Sequence, residues 1–503
     1  MANHLFDSLR ACTIADDRTF LERTDGSVLT YGGLWEATAR WAGALRALGV
    51  ATGDRVAVQV EKSPEVLVLY LACIRAGAIF LPLNTAYTAA EVSYFLGDAE
   101  PSLFVCDPAK RDALAPIAAA AKVARVETLD EHGCGTLAEV AARQEPNFPT
   151  VEREPDDLAA ILYTSGTTGR SKGAMLSHDN LLSNALTLKD YWRFTPADVL
   201  IHALPVFHTH GLFVATNTIL AAGATMIFLP KFDPAQVLAL AGRATALMGV
   251  PTFYTRLLGN PGLIREAVAG MRLFISGSAP LLAETHREFS ARTGKAILER
   301  YGMTETNMNT SNPYDGDRVP GTVGFPLPGV SLRVVDPETG RELAAEDVGM
   351  IEVKGPNVFK GYWRMPEKTN AEFRPDGFFI TGDLGKIDGR GYVHIVGRGK
   401  DLIISGGLNI YPKEVETEID GLPGVEESAV IGVPDADFGE AVTAVIVRKP
   451  GAEVSEDDVR AGLRERLARF KQPKYVIFVP ELPRNTMGKV QKNVLRDQFT
   501  PRL

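Results

Sequence analysis

The sequence has few cysteines, and none of them is paired at metal-ligand spacing. Its four cysteines, in 503 residues, are Cys12, Cys73, Cys106 and Cys134, without a C-x-x-C pair. This pattern is typical of reduced thiols in a cytoplasmic protein, not of a disulfide framework or a zinc site. Residues 1–10 lack the basic stretch and the long apolar segment of a signal peptide, so export is not expected.

Long apolar runs and an excess of basic residues are also missing. Stretches such as residues 66–73 fall well short of the roughly 20 residues that a membrane-spanning helix needs. The 53 lysines and arginines stand against 62 acidic residues, and the net charge of −9 argues against nucleic acid as the main partner. The composition, with 45% hydrophobic and 23% charged residues, indicates a globular chain of at least two folding units.

Apolar periodicity indicates alternating strands and helices. A helix over residues 34–48 leads to a strand at 55–60, and a helix beginning at Pro64 leads to a strand at 78–83. Thr88 and Glu91 form a capping box that opens the next helix. Further strands are expected at residues 103–106, 158–163, 200–204, 225–229 and 272–276. The fold class predicted is α/β with parallel sheets, which bind ligands beyond the carboxyl ends of their strands.

The pattern changes twice in the second half of the chain. After Val319, short segments alternate with turn signals, which predicts a β-rich subdomain over about 319–399. From residue 400 onward the expected elements are helices at 414–419 and 456–468 and strands at 427–433, 441–447 and 475–479. We predict a large domain over residues 1–399 and a small α+β domain over residues 400–503.

A loop of glycines and hydroxyl groups follows the strand at 158–162. Its sequence is Tyr163-Thr-Ser-Gly-Thr-Thr-Gly-Arg-Ser-Lys-Gly173. Backbone N–H groups, hydroxyl donors and the charge of Lys172 together suit a polyphosphate. The Walker pattern is not met, because Gly166 is not followed at the required spacing by Gly-Lys-Ser/Thr. A flexible surface loop is the alternative.

With this loop the sequence resembles the acyl-adenylate-forming superfamily of acyl-CoA synthetases, peptide-synthetase adenylation domains and luciferases. Further matches follow in the same order: Glu299-Arg-Tyr-Gly-Met-Thr-Glu305, Thr381-Gly-Asp383, Gly397-Arg-Gly-Lys-Asp401 with Ser405-Gly-Gly-Leu-Asn409, and Pro483-Arg-Asn-Thr-Met-Gly-Lys489. The resemblance implies activation of a carboxylic acid by MgATP as its adenylate and transfer of the acyl group to coenzyme A.

The resemblance also assigns a nucleotide site. Contacts with ATP or AMP are expected from Thr164, Ser165, Gly166, Thr167, Thr168, Gly169, Lys172, Ser278, Ala279, Pro280, Glu299, Arg300, Tyr301, Gly302, Thr304, Asp383, Arg398 and Lys489. Tyr301 is expected to face adenine, and Asp383 to accept hydrogen bonds from the ribose hydroxyls beside Arg398. Core packing of Tyr301 and a turn-forming role for Asp383 are the alternatives.

Three residues are expected to carry the chemistry: Lys489, Thr304 and His208. Lys489 on its own would be taken for a solvated surface lysine, whereas the resemblance makes it the cation that bridges the carboxylate and the α-phosphate in the transition state. Thr304 is expected to bond a phosphate oxygen. Glu305 is a hard oxygen ligand suited to Mg²⁺, and a surface glutamate that caps a helix is its alternative.

Two working postures are implied by the resemblance. Lys400 occupies the hinge position, about which the small domain turns after adenylation. In the second posture four residues are expected beside the tunnel for the pantetheine arm of coenzyme A: Ser405, Gly406, Gly407 and Leu408. Acetylation of Lys489 by a lysine acetyltransferase would remove its charge and is expected to switch adenylation off.

Four segments are similar to malonyl-CoA synthetases in particular: 204–212, 249–256, 275–280 and 301–303. This narrower resemblance depends on Arg256, because a pocket for a fatty or aromatic tail would bury an arginine at severe cost, whereas a dicarboxylate supplies its counter-ion. His208 and Ser278 are expected to help hold the second carboxylate, and Met303 to limit the length of the acid. Malonate is the expected substrate, with methylmalonate tolerated.

Several alternatives stay open from the sequence. Arg256 is alternatively a helix residue that faces solvent, and His208 a lid residue or a satisfied core histidine. His210 is assigned no role. A generic small- or medium-chain acyl-CoA synthetase would keep every adenylation motif and lose the role of Arg256. An ATP-regulated binding protein without turnover is the non-enzyme alternative.

Overall fold

Predominantly parallel sheets form the first part of the molecule, which confirms the predicted α/β class. The computed structural model describes residues 3–164, 171–405, 408–435, 438–464, 466–485 and 488–500. Strands β1–β15 are Thr19–Arg23, Val28–Thr30, Arg55–Gln59, Ile79–Pro82, Leu103–Cys106, Arg125–Thr128, Leu158–Thr164, Lys172–Ser177, Val199–His202, Thr225–Phe228, Ala246–Gly249, Leu273–Ser276, Ile297–Met303, Asn307–Ser311 and Phe325–Pro326. Helices α1–α11 are His4–Ala11, Tyr31–Ala47, Pro64–Arg75, Ala89–Ala99, Arg111–Ala120, Thr136–Ala142, His178–Tyr191, Thr216–Ala222, Pro234–Leu240, Pro251–Leu258 and Ala283–Thr293.

The strand order brings several loops to one edge of a sheet. The first sheet runs β6-β5-β3-β4-β7-β8 and is parallel except for β8, which pairs antiparallel with β7. The second sheet runs β15-β14-β13-β12-β11-β9-β10-β1-β2, with parallel pairing from β13 to β1. Because β9, β11, β12 and β13 are parallel neighbours, the segments that follow them emerge at the same edge. Those segments contain His208, Arg256, Ser278 and Glu305.

Local sequence signals account for the helix ends. The Thr88 hydroxyl accepts a hydrogen bond from the Glu91 backbone N–H, and the Glu91 carboxylate returns to the Thr88 backbone, so the predicted capping box of α4 is confirmed. Gly49 follows α2 with a φ of 89°, a left-handed conformation that glycine adopts without strain. Within the described ranges, no helix is both long and apolar enough to cross a membrane.

An antiparallel sheet follows, as the turn-rich sequence after Val319 predicts. Its strands β16–β19 are Ser331–Val335, Gly349–Lys354, Phe379–Ile387 and Val393–Arg398, and helix α12 is Pro366–Ala371. Glu352 of β17 is fully buried there, between two arginines. Arg333 Nη2 lies 2.8 Å from one carboxylate oxygen of Glu352, and Arg374 Nε lies 2.6 Å from the other.

Residues after 400 form the smaller α+β part. Strands β20–β24 are Ile403–Ser405, Leu408–Ile410, Val425–Asp435, Gly439–Arg448 and Tyr475–Phe478, and helices α13–α15 are Pro412–Asp420, Glu456–Leu463 and Lys492–Phe499. Buried apolar residues of this part form clusters drawn from residues 403–499. The domain boundary at residue 400 stays a prediction. The short β20–β21 hairpin and α15 were not predicted, and α14 ends five residues earlier than the residue-468 limit expected.

Replacing Glu352 by alanine is expected to destabilise the protein by about 1–3 kcal/mol, because Arg374 would lose its carboxylate partner and Arg333 would keep only Asp376. Glu346→Ala is the matched control. Its exposed carboxylate pairs with Lys386 at 2.6 Å, and its loss should leave the free energy of unfolding nearly unchanged. Denaturant unfolding of both variants measures the difference, and equal losses would contradict the buried-charge argument.

Candidate active site

The glycine-rich and hydroxyl-rich loop leaves the first sheet between β7 and β8. Thr164 at one end of the loop and Lys172 at the other are paired residues of the antiparallel strands β7 and β8. The predicted contacts Ser165, Gly166, Thr167, Thr168 and Gly169 lie outside the described residues. Lys172 Nζ lies 3.1 Å from Glu372 Oε1 and 3.9 Å from the centre of the Tyr362 ring. The cation expected at the phosphates is therefore held by a carboxylate and an aromatic face in this state.

Glu305 is buried in the turn between β13 and β14, so it is not a surface glutamate. Tyr362 Oη lies 3.0 Å from Glu305 Oε1 and 2.6 Å from Glu372 Oε2. Loss of hydration raises the pKa of Glu305. Tyr362 thus joins the candidate metal ligand to the Lys172–Glu372 pair. Among the described residues, no group of three or more His, Cys, Asp or Glu side chains is placed to hold a metal.

Asp383 lies within β18 and not in an isolated turn, directly opposite Arg398 of β19. Arg398 Nε lies 2.7 Å from Asp383 Oδ1, and Tyr301 Oη donates a hydrogen bond to Asp383 Oδ2 at 2.5 Å. A carboxylate has about four acceptor positions, so each oxygen keeps one lone pair for another donor. Burial, followed by the charge of Asp383, raises the pKa of the Tyr301 phenol.

Lys489 of the small domain reaches the same pair of residues. Loss of hydration lowers the pKa of Lys489 to about 8, with the charge of Arg398 as the next cause, while Asp383 opposes the shift. Gly488 lies beside α10, since a Cβ built on it would be 3.4 Å from the Thr252 side chain. Lys400, the predicted hinge, is exposed in the turn Gly399–Asp401 that joins β19 to β20.

The other predicted nucleotide contacts lie on or next to strands β12 and β13. Ala279 and Pro280 follow β12, Glu299 and Gly302 belong to β13, and Thr304 follows it. Glu299 is buried, and loss of hydration raises its pKa to about 8. No side chain would fit at Gly302, because a Cβ there would lie 1.8 Å from the Asn307 carbonyl oxygen.

Arg300 is a buried cation in the second sheet. It belongs to β13 and is 3% exposed. Its guanidinium packs on the Gly277 backbone, where a Cβ would lie 2.4 Å from Arg300 Cζ. Within the described residues, Arg300 Nε and Nη2 have no hydrogen-bond partner. Loss of hydration lowers the pKa of Arg300 to about 9, which marks a site that favours an incoming acceptor.

Two histidines lie near this guanidinium. Desolvation lowers the pKa of His208 to about 4 and that of His210 further, and Arg300 is the next cause for both. His210 Nδ1 lies 3.2 Å from Ser278 Oγ, and His210 Nε2 is buried without a hydrogen-bond partner in the described part of the chain. Ser278 has a left-handed φ of 72°. The histidine that contacts Ser278 is therefore His210, to which the sequence assigned no role.

Arg256 is exposed on α10, so the premise that it is buried is wrong. Its contact with the acid stays a prediction. Arg256 follows Thr252 by four residues and shares its helix face, the face next to Gly488. Tyr254, on another face of α10, donates a hydrogen bond to the Ile275 carbonyl at 2.6 Å. Arg300, and not Arg256, is thus the arginine whose burial calls for a counter-ion.

The segment predicted to contact coenzyme A is a hairpin turn. Ser405 pairs with Leu408 across β20 and β21, and Gly406 and Gly407 lie outside the described residues. Leu408 is 47% exposed. Met303, predicted to limit the length of the acid, is partly buried at the end of β13.

Comparison with known proteins identifies the family. Residues 10–363 match the AMP-binding enzymes, and residues 414–489 match the C-terminal domain of AMP-binding enzymes. The chain belongs to the AMP-binding enzyme family. The predicted class within this family, an AMP-forming acid–thiol ligase, is confirmed, as are the predicted superfamily and its fold.

Relatives in this family act on different acids. The chain is 39% identical to the feruloyl-CoA synthase of Amycolatopsis sp., with 95% of each chain covered. It is 35% identical to the malonate–CoA ligase of Arabidopsis thaliana, with 89% of this chain and 78% of the relative covered. Sequence identity of 35–39% therefore does not determine which acid this chain accepts, and the residues of the pocket have to be considered.

A solved structure shares both fold and posture. Crystals of ATP-bound MatB from Rhodopseudomonas palustris contain a chain 67% identical to this one, with 99% of each covered and a TM-score of 0.98. Apo MatB from the same organism, at the same identity and coverage, gives a TM-score of 0.87. The arrangement of this chain is thus more similar to the ATP-bound MatB structure than to the apo structure.

The Lys489 amine is expected to titrate near pH 8. NMR titration of protein labelled with ¹³C at lysine Cε measures this value. Arg398→Gln should raise the pKa by removing a nearby positive charge, and Asp383→Asn should lower it further by removing a nearby negative charge. Arg390→Gln, at an exposed arginine, is the control and should leave it unchanged. A Lys489 resonance insensitive to both Arg398 and Asp383 would contradict the closed geometry.

Proposed function

We propose that this chain is a malonate–CoA ligase that converts malonate, MgATP and coenzyme A into malonyl-CoA, AMP and pyrophosphate. The observation that carries the proposal is the buried Arg300 guanidinium, with Nε and Nη2 unpartnered in the described residues. A feruloyl or fatty acyl tail next to this group would leave the charge uncompensated, at a cost of several kcal/mol. The second carboxylate of malonate supplies two acceptors to a planar fork that suits them.

The residues around Arg300 complete a polar pocket for a short dicarboxylate. We assign Ser278, His208 and His210 to the second carboxylate beside Arg300, because His210 contacts Ser278 and the charge of Arg300 lowers the pKa of both histidines after desolvation. Arg256 contributes from the face of α10 that the small domain approaches. Met303 limits the length of the acid. Methylmalonate is the tolerated relative, since one methyl group changes binding by about 1–3 kcal/mol.

ATP is proposed to lie along Tyr301, the Asp383–Arg398 pair and the loop at 164–172. The ribose hydroxyls donate to the free lone pairs of Asp383, and Lys172 moves from Glu372 to the phosphates. Glu305 would hold Mg²⁺, because one buried carboxylate beside a phosphate site suits an ion that keeps most of its ligands from water and phosphate. When bound, Mg²⁺ neutralises phosphate charge.

In the first step an oxygen of the activated carboxylate attacks the α-phosphorus, and the bond to pyrophosphate breaks. Negative charge then concentrates between the acid and the α-phosphate. Lys489 donates to both from the small domain, and Thr304 donates to a phosphate oxygen. This pairing is stronger in the transition state than in the ground state, which accelerates the step. The match in posture to ATP-bound MatB supports this arrangement.

In the second step the thiolate of coenzyme A attacks the acyl carbon, and the bond to AMP breaks. We propose that the small domain first turns about Lys400, which withdraws Lys489 and brings Ser405, Gly406, Gly407 and Leu408 to the pantetheine arm. The exposed position of Leu408 supports this, because an apolar side chain at a hairpin tip is free to cover an alkyl arm.

Two further features belong to the proposal. The unpaired cysteines favour a cytoplasmic protein. When the small domain turns about Lys400, the Lys489 amine leaves its desolvated position and a lysine acetyltransferase could reach it; acetylation would remove the charge on which adenylation depends.

Lys489→Ala is expected to slow release of pyrophosphate from ATP and malonate by about 10²- to 10³-fold, the usual effect of removing one electrostatic contact to a transition state. The assay omits coenzyme A, so that it reports the first step alone. Lys449→Ala, in the same domain and facing Glu284 at 3.8 Å, is the control and should be as fast as the parent. Equal release by the parent and Lys489→Ala would refute the proposed chemistry.

Arg300→Met is expected to lower kcat/KM for malonate by roughly 10²-fold, since truncating one member of a buried charge pair costs about 2–5 kcal/mol. Butanoate, which ends in a methyl group, should be used no worse by the variant than by the parent. The measurement is thioester formation across a panel of malonate, methylmalonate and butanoate.

Arg256→Met in the same panel separates the two arginines. A malonate-specific loss in both variants supports a shared site, with the larger loss expected for Arg300 because it is the desolvated one. Malonate activity that survives intact in both variants would mean that a generic acyl-CoA synthetase is the better description.

A further inference from the structure

A second cation with a desolvated amine, Lys62, lies apart from the adenylation residues, although the residue as a whole is partly exposed. It follows β3 of the first sheet and bridges to the ends of β9 and β10 in the second. Lys62 Nζ lies 3.1 Å from His202 Nδ1, 2.9 Å from the His202 carbonyl oxygen and 2.6 Å from the Leu229 carbonyl oxygen. It also lies 4.2 Å from the centre of the Phe228 ring. Lys62 has no ion pair among the described residues.

The contacts of Lys62 and His202 match their donors and acceptors. His202 Nε2 lies 2.8 Å from the Gly211 carbonyl oxygen, which accepts only, so Nε2 carries a proton. Loss of hydration lowers the pKa of His202 to about 3, with the charge of Lys62 as the next cause, and loss of hydration also lowers the pKa of Lys62. With His202 neutral, its Nδ1 and the two carbonyl oxygens are three acceptors for Lys62, which an ammonium group matches with its three N–H bonds.

These contacts lie next to the loop that contains the two pocket histidines. The histidine loop, residues 203–211, contains His208 and His210. Its last residue, Gly211, contacts His202, the residue immediately before the loop. The His202 ring closes it from one side, and Thr209 Oγ1 donates to Asn307 Oδ1 at 2.8 Å on the other. No side chain fits at Gly211, because a Cβ there would lie 2.1 Å from the Pro205 carbonyl oxygen. The loop is thus held by two strands of the second sheet, through His202 of β9 and Asn307 of β14.

We infer that Lys62 is a positioning residue for the acid, which acts through His202 and Gly211 to hold the two pocket histidines of the histidine loop in place. Lys62 does not touch the reacting groups. Its ammonium orients the His202 ring, the ring fixes the Gly211 carbonyl, and His210 next to it keeps its contact with Ser278. The inference rests on the proposed function for the identity of the acid and extends it to a residue outside the pocket.

The test uses Lys62→Met, which keeps the length of the side chain and removes its charge and donors. We expect the KM for malonate to rise roughly tenfold or more, as for loss of a hydrogen bond from a charged group, while the KM for ATP stays within about twofold. Lys62→Arg should recover part of the malonate affinity. His202→Phe removes the contacts of the His202 ring with Lys62 and with the Gly211 carbonyl. This variant tests the inference if Lys62→Met does not fold.

The matched control is Arg75→Met. Arg75 is a buried cation that donates to backbone carbonyls, those of Trp35 and Phe148, away from the histidine loop. It should lower stability without changing the ratio of the two KM values. Folded Lys62→Met and His202→Phe proteins with unchanged malonate KM, or with malonate and ATP KM raised equally, would overturn the inference. If the parent forms no thioester with malonate, the proposed function fails, and the same ratio is measured with the acid it accepts.

Discussion

We propose that the acid specificity of this protein follows from a guanidinium that is buried without a hydrogen-bond partner for two of its nitrogens in the described residues. Arg300 lies on a central strand, against the Gly277 backbone, with donors that no described residue satisfies. A fold keeps such a group at a cost, because an ion in a medium of low dielectric constant loses its hydration. The cost is offset when a ligand brings the opposite charge. On this proposal, the pocket selects an acid with a second carboxylate.

The nucleotide end of the site is organised differently, around charges that are already paired. Asp383 contacts Arg398 and Tyr301, and Lys172 contacts Glu372. These groups keep spare lone pairs or can exchange one anion for another, so we propose that ATP binding rearranges existing pairs. The small domain adds Lys489 to this set, and its lowered pKa reflects how closely the two parts of the chain approach.

The two ends are joined through the segments that follow parallel strands. Thr209 of the histidine loop, which follows β9, donates a hydrogen bond to Asn307, which follows the turn after β13. Lys62 contacts His202, the residue immediately before the histidine loop. Adjacent parallel strands deliver their loops to one edge, so residues far apart in sequence act on one ligand.

How much of the site could be predicted depended on the kind of signal. Motifs with a fixed local spacing, such as 299–305 and 381–383, predict the nucleotide residues, although Asp383 lies in a strand and not in an isolated turn. The acid pocket was harder. Arg256 and Arg300 both lie in or next to segments that resemble malonyl-CoA synthetases. The sequence does not indicate which of the two side chains is buried. For the same reason His208 was favoured over His210.

Short-range patterns were enough to predict the α/β class, the order of the adenylation motifs and the different composition of the last hundred or so residues, because periodicity and turn residues act over short distances. The three-dimensional arrangement was needed to show which arginine is buried, which histidine contacts Ser278 and that Lys62 contacts His202. Burial and hydrogen bonding between sheets depend on how strands distant in sequence come together, and no local pattern records that.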